Sequence, residues 1–425
     1  MGIYAEILKD VSLPKMSQVK QSFPDDRIQD IPMAIHKALQ RPGTLDQIQP
    51  GQKVALTVGS RGVNNLPALV QAMVWEIKSR GAEVFIIPAM GSHGGATPEG
   101  QKDMLLGLGI RPEIMGAEIV SSMEVTQVGT LPDGLPVYVS TDALKADAIV
   151  LLNRIKPHTA FRGKVESGLV KMLTIGLGKQ KGAEACHAHS FKHMARHIVE
   201  MGSMLLEKAP VVFGLGAVEN AYDHTHSIFA IPAERLLEEE PEWLNLAKQL
   251  MPSIPVSSID VLIIDEIGKD ISGDGMDPNI TGRYPTPYAS GGPEVSKMVL
   301  LDLTERSHGN ANGIGTADIV SKRLVEKMSL EQTYPNALTS TVTGPVKIPL
   351  TLDNDYDVIR AAIKTCNAID LYKTRIVRLK NTLSLSEIWV SEAIAKEMAV
   401  QSIPVEIGEL QDWKFDEQKN FSLEH

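Results

Sequence analysis

Lys53-Val54-Ala55-Leu56-Thr57-Val58-Gly59 is a short apolar run that stops at a glycine. An uninterrupted run of this length predicts a strand buried on both faces, as in a parallel sheet. The loop Ser60-Arg61-Gly62-Val63-Asn64-Asn65 comes next, and Leu66 to Arg80 then carries Leu69, Met73 and Ile77 at helical spacing before Gly81. Glycine suits a helix end because it takes positive φ with no Cβ to clash. Ala82-Glu83-Val84-Phe85-Ile86-Ile87-Pro88 is the next strand. Strand, helix and strand make a βαβ unit, which predicts an α/β fold with mainly parallel sheets.

In open parallel sheets, ligands bind beyond the carboxyl ends of the strands, so the exit loops carry the functional information. Arg61 lies in the first. The second is Ala89-Met90-Gly91-Ser92-His93-Gly94-Gly95-Ala96, leading into Thr97-Pro98-Glu99. That last triplet predicts a helix start, with a capping hydroxyl, a proline at the first helical position and an acid in the first turn. Ala148-Ile149-Val150-Leu151-Leu152 is a third strand, and its exit loop runs from Asn153 to His158. If these strands are neighbours, Arg61, His93 and His158 border one crevice.

Further along, Met251-Pro252-Ser253-Ile254-Pro255 reads as a hinge, and Asp260-Val261-Leu262-Ile263-Ile264-Asp265 as the strand that opens a second α/β region. The expected organisation is therefore two α/β domains with a cleft between them. Residues 1–254 form the cofactor-binding domain and 255–400 the domain that closes the cleft. The tail, 401–425, packs back on the first domain and ends in Leu423-Glu424-His425, which resembles a tag remnant.

Composition narrows the function. Lys plus Arg number 42 and Asp plus Glu 52, for a net charge of −10. A mildly acidic chain with no basic run argues against nucleic acid and against anionic membranes. Two cysteines far apart, Cys186 and Cys366, exclude a disulfide framework and fit a reducing cytoplasm. No window approaches the roughly 20 apolar residues of a membrane span. A cytoplasmic protein acting on a small molecule is expected.

The stretch Lys156-Pro157-His158-Thr159-Ala160-Phe161-Arg162-Gly163-Lys164, with Ser167-Gly168-Leu169-Val170-Lys171 and Cys186-His187-Ala188-His189, is the densest in reactive side chains. Neutral histidine is matched to proton shuttling near pH 7, which makes His93 and His158 a candidate catalytic pair. A helix from about Lys181 would set His189, His193 and His197 four apart on one face. Such spacing can chelate zinc, but no glutamate lies between His189 and His193 as HExxH requires. A solvated or interdomain helix face is the simpler reading. Gly176-Leu177-Gly178-Lys179 lacks the full phosphate-loop pattern, and no Gly-x-Gly-x-x-Gly comes after the first strand.

Taken in order, several of these pieces resemble the lactate racemase family, whose enzymes use a nickel-pincer nucleotide. They are Ser60-Arg61-Gly62, Gly91-Ser92-His93 with Thr97-x-Glu99, Lys156-Pro157-His158, Ser167-Gly168-x-x-Lys171, and His187 sixteen residues after Lys171. The resemblance implies an isomerase that racemises or epimerises a 2-hydroxy acid by hydride transfer to the pincer ring. His93 and His158 would be its two acid/bases and Arg61 its substrate-carboxylate grip. Lys171, with Ser167 and Gly168, would hold the cofactor covalently, and His187 would ligate nickel. It also implies cofactor-maturation enzymes as partners. Gly94-Gly95 replaces the family's usual Arg-Pro, and Lys164 is a second possible anchor, so a divergent member is expected. A zinc-dependent hydrolase using His187, His189 and His193, or a non-catalytic nucleotide-binding protein, are the alternatives.

Overall fold

A computed structural model describes residues 3–60 and 63–421. The chain forms two compact units, Pro24–Met251 and the discontinuous pair Met1–Phe23 with Pro252–His425. In chain order the strands are β1 (Met16–Gln21), β2 (Lys53–Val58), β3 (Glu83–Pro88), β4 (Glu118–Ile119), β5 (Val125–Thr130), β6 (Pro136–Ser140), β7 (Ala148–Arg154), β8 (Val211–Glu219) and β9 (Thr225–Pro232). Then come β10 (Ser258–Ile267), β11 (Glu294–Leu303), β12 (Ile319–Ser321), β13 (Leu350–Leu352), β14 (Ile376–Leu379), β15 (Glu387–Ser391) and β16 (Val405–Gln411).

The Pro24–Met251 unit is built on a six-stranded sheet of order β4-β3-β2-β7-β8-β9. All its neighbours are parallel except the β8–β9 hairpin. The apolar run at 54–58 is buried on both faces as its composition predicts. Val54, Leu56 and Val58 join Leu69, Met73 and Ile77 of the helix Leu66–Ser79 in one core. On the opposite face, Thr57 Oγ1 donates to the Met172 sulfur at 2.9 Å and accepts the Leu152 N–H at 3.2 Å. The helix Pro98–Gly107 starts where expected, with Thr97 Oγ1 accepting the Gly100 N–H at 3.0 Å. The antiparallel pair β5–β6 forms a separate hairpin.

The other unit has an eight-stranded sheet of order β13-β12-β11-β10-β14-β15-β1-β16. Its first five strands are parallel and its last three antiparallel. The expected boundary at 254/255 is close to the break at Met251–Pro252, but both ends of the chain are placed differently from expectation. Residues 1–23 go with the second unit, because β1 lies between β15 and β16. The tail does likewise, pairing β16 with β1 rather than packing on the first unit. Leu8, Val11 and Met16 share a core with Val261, Val358 and Ile376, and Val19 of β1 is fully buried. The residues at 423–425 lie outside the described range. Among the described residues, no helix is long and apolar enough to cross a membrane.

Since β1 is paired on both edges, between β15 and β16, and Val19 is fully buried, Val19→Ala is expected to destabilise this unit by about 2 kcal/mol through lost transfer energy and a residual cavity. The shift in a urea unfolding midpoint measures it. An unchanged midpoint would mean that β1 contributes little.

Candidate active site

β2 is hydrogen-bonded in parallel to β3 on one edge and to β7 on the other. The three exit loops that carry Ser60, His93 and His158 therefore leave adjacent strands on the same side of the sheet. Arg61 and Gly62 lie outside the described residues, so only the neighbouring Ser60 represents the first loop. Its Oγ shares a 2.5 Å hydrogen bond with His93 Nδ1. His93 is exposed.

The His93 loop is held from behind by a buried cation. Lys179 is fully buried, and its Nζ donates to the Pro88 carbonyl at 2.6 Å and to Gln101 Oε1 at 3.0 Å. Gln101 Nε2 in turn donates to the Gly91 and His93 carbonyls, at 2.8 and 3.2 Å. Burial pulls the Lys179 ammonium down to about 8. The residue that ends the would-be phosphate-loop motif is thus a strut between the strand end and the His93 loop.

The loop after β7 closes on itself through a bridge between Lys156 and Ser167, with N–H to carbonyl distances of 2.8 and 3.2 Å. Its hub is Glu166, which is fully buried. This carboxylate accepts the His158 N–H at 2.8 Å, the Lys248 ammonium at 2.8 Å and the Arg162 guanidinium at 3.3 Å. His158 Nδ1 accepts the Ala160 N–H at 3.0 Å. A neutral ring held this way carries its proton on Nε2. Burial, then the charges of Lys171, His187, Lys156 and Arg162, holds His158 well below its ordinary value, so the ring is neutral.

Ser167 and Gly168 lead into a short helical turn, Leu169–Lys171, which runs on as a π-helix, Met172–Gly176. A Cβ on Gly168 would run into Glu240 Oε1, so a larger residue there would have to push the Glu240 carboxylate aside. Glu240 is fully buried, and its Oε2 accepts the Val170 N–H at 2.9 Å. Its other oxygen has no partner. Glu240 thus caps the turn that presents Lys171. Gly91 N donates to the Gly176 carbonyl at 3.1 Å, which seats the His93 loop on the π-helix. π-Turns recur at functional sites because one extra residue re-aims the chain beyond it.

The helix Lys179–His187 ends on His187. His187 Nδ1 lies 2.6 Å from the Ala183 carbonyl, so it donates there and leaves an Nε2 lone pair. Burial lowers the proton affinity of His187, the Ala183 carbonyl opposes this, and the Lys171 charge lowers it further. Phe191 lies between the histidines, its ring centroid 5.3 Å from His187 and 6.2 Å from His158. Lys171 is half-buried, whereas Lys164 is exposed.

The expected His189/His193/His197 helix face takes a different form. The chain breaks after His187, and Ser190 has φ 64° before a new helix, Phe191–Lys208. His189 precedes that helix, and His197 is fully buried rather than solvated. Among the described residues, the cluster able to hold a metal ion is Asp133, His189 and His197, not the His187/His189/His193 set.

Residues 4–198 match the family described as the lactate racemase N-terminal domain. Among solved structures, the lactate racemase apoprotein from Thermoanaerobacterium thermosaccharolyticum is similar, with a TM-score of 0.52 and 16% identity. The match covers 87% of this chain and 99% of that one, and at this identity it shows a shared fold. No curated protein sequence matches.

Burial raises the Glu240 carboxyl from its ordinary 4.5 to about 7, against the pull of the Val170 and Leu169 N–H groups. A carboxyl raised on folding binds its proton more tightly in the native state, so its stabilising contribution is present below the unfolded value and lost as pH rises. The fall should run from about 4.5 through about 7 and amount to about 3 kcal/mol at most. Glu240→Gln keeps an acceptor for the Val170 N–H but cannot ionise. Urea unfolding at pH 5 and pH 8 should show a smaller loss for this variant than for the parent chain, and equal losses would remove Glu240 as the cause.

Proposed function

We propose, from this chain's place in the lactate racemase family, that it is a racemase or epimerase of a 2-hydroxy acid, working with a lysine-tethered nickel-pincer nucleotide. The observation that carries the reading is that His158 and His187 both flank the Phe191 ring and both lie within reach of the Lys171 charge.

The residues fit the cofactor. Lys171, on a turn capped by Glu240, is the amine for covalent attachment, and its half-buried setting favours it over exposed Lys164. His187 offers an Nε2 lone pair with its tautomer set by the Ala183 carbonyl, the supporting arrangement common to metal-bound histidines. Ser167 and Gly168 frame the approach to Lys171. When bound, the nucleotide supplies the hydride acceptor for the substrate C2.

The chain's own groups handle the proton. His158 presents Nε2–H as a donor, with Nδ1 engaged by the Ala160 N–H. At His93 the Ser60 hydroxyl can rotate to donate to Nδ1 or accept from it. With Nδ1 protonated toward Ser60, His93 can take the substrate hydroxyl proton on Nε2 and return it from the resulting imidazolium. His158 serves the opposite enantiomer in the same way once its proton moves to Nδ1 and the Ala160 hydrogen bond gives way. Arg61, next after Ser60 in the sequence, would grip the substrate carboxylate.

Protein made together with the cofactor-maturation enzymes tests this reading. The intact chain should gain a covalent mass on Lys171 and one nickel, and both should be absent in Lys171→Ala. His93→Ala and His158→Ala should keep the adduct while racemisation falls by about 10²- to 10⁴-fold. Nickel and full activity in Lys171→Ala would sink the assignment of the anchor and turn attention to Lys164.

A further inference from the structure

We propose that Asp133, His189 and His197 form a second metal site, for a divalent first-row transition ion such as zinc, distinct from the one at His187. The inference is independent of the racemase reading.

The three side chains come from separate segments. Asp133 lies in the turn between β5 and β6, His189 between two helices, and His197 on the second turn of the helix Phe191–Lys208. Their ligating atoms lie within 4.8 Å of one another. Asp133 Oδ2 is 2.9 Å from His197 Nε2 and 3.8 Å from His189 Nδ1. Bonds of 2.0–2.2 Å to a tetrahedral zinc would set two ligands about 3.4 Å apart, a value these separations bracket. His189 is partly exposed and sits outside regular structure, so it has freedom to close the remaining distance.

Unsatisfied atoms point the same way. Asp133 Oδ1, His197 Nδ1 and Glu200 Oε2 are buried with no hydrogen-bond partner. His197 Nε2 lies between an acceptor, Asp133 Oδ2, and a donor, Arg196 Nη2 at 3.0 Å. Either neutral tautomer of the ring therefore disappoints one neighbour. An ion on Nε2 removes the conflict, since it takes the lone pair and fixes the proton on Nδ1. Glu200, one turn along the same helix, holds an orphaned carboxylate oxygen of the kind that backs metal-bound histidines.

Arg196 stands where a cation belongs. Its Nη2 lies 2.5 Å from Asp133 Oδ2, and its side chain is half exposed. Nη1 is already 3.7 Å from Glu200 Oε1, which offers it a place to move. Two imidazoles and one carboxylate suit zinc, whereas calcium and magnesium take oxygen. The ion would pin the β5–β6 turn to the helix whose first residue, Phe191, packs on His158 and His187.

The test uses untagged, metal-free chain made without the cofactor, titrated with zinc against a chromophoric chelator. One equivalent should bind, with a rise in melting temperature. Binding and the rise should disappear in His189→Ala, persist in His187→Ala, and strengthen several-fold in Arg196→Gln. Absence of binding to the parent chain, binding unchanged in His189→Ala, or loss only in His187→Ala would each overturn the proposal.

Discussion

The parallel pairing of β2 with both β3 and β7 is the constraint on which the site depends. Parallel neighbours put their carboxyl ends on one side, so three loops far apart in sequence emerge side by side. The pairing asks little of the sequence. It needs only three apolar runs without polar interruption, because both faces of each strand are covered. Residues on one face meet the helix Leu66–Ser79, and Thr57 on the other meets Met172 of the π-turn. The sheet thereby positions both the histidine loops and the segment that presents Lys171.

Burial of charge does much of the remaining positioning. Glu166, Lys179 and Glu240 are fully enclosed, and each is engaged with backbone groups of a functional loop. Glu166 gathers the His158 loop, Lys179 works through Gln101 on the His93 loop, and Glu240 caps the Lys171 turn. An enclosed charge cannot drift to water, and removing one partner leaves another stranded at a cost of a few kcal/mol. Loops held this way can be short in regular structure and still rigid.

The βαβ unit, the cap at Thr97, the three exit loops and the break after Met251 were legible because they rest on local chemistry. The roles of Glu166 and Lys179 were not, since their partners are backbone atoms and side chains that only the fold brings near. Glu240 left a trace. It falls in helical register with Leu236, Leu244 and Ala247, all buried, and an acid on an apolar face is a signal. The helix expected to carry three histidines is divided by Ser190 at positive φ, a conformation that periodicity does not report. Placement of both chain ends in one sheet is likewise non-local, set by the pairing of β1 with β15 and β16.

That last feature bears on synthesis. Lys20 in β1 pairs with Glu387, so the strand leaves the ribosome roughly 370 residues before its neighbour exists. At elongation rates of about 5–20 residues per second, the delay is tens of seconds. During that time the intervening Pro24–Met251 unit has its own sheet and core to complete, while β1 waits with both edges unpaired. Short length and a polar majority, Ser17, Gln18, Lys20 and Gln21 against Met16 and Val19, make such an edge a poor template for aggregation. In this chain the order of translation and the order of sheet assembly run in opposite directions, with the first strand made among the last to be seated.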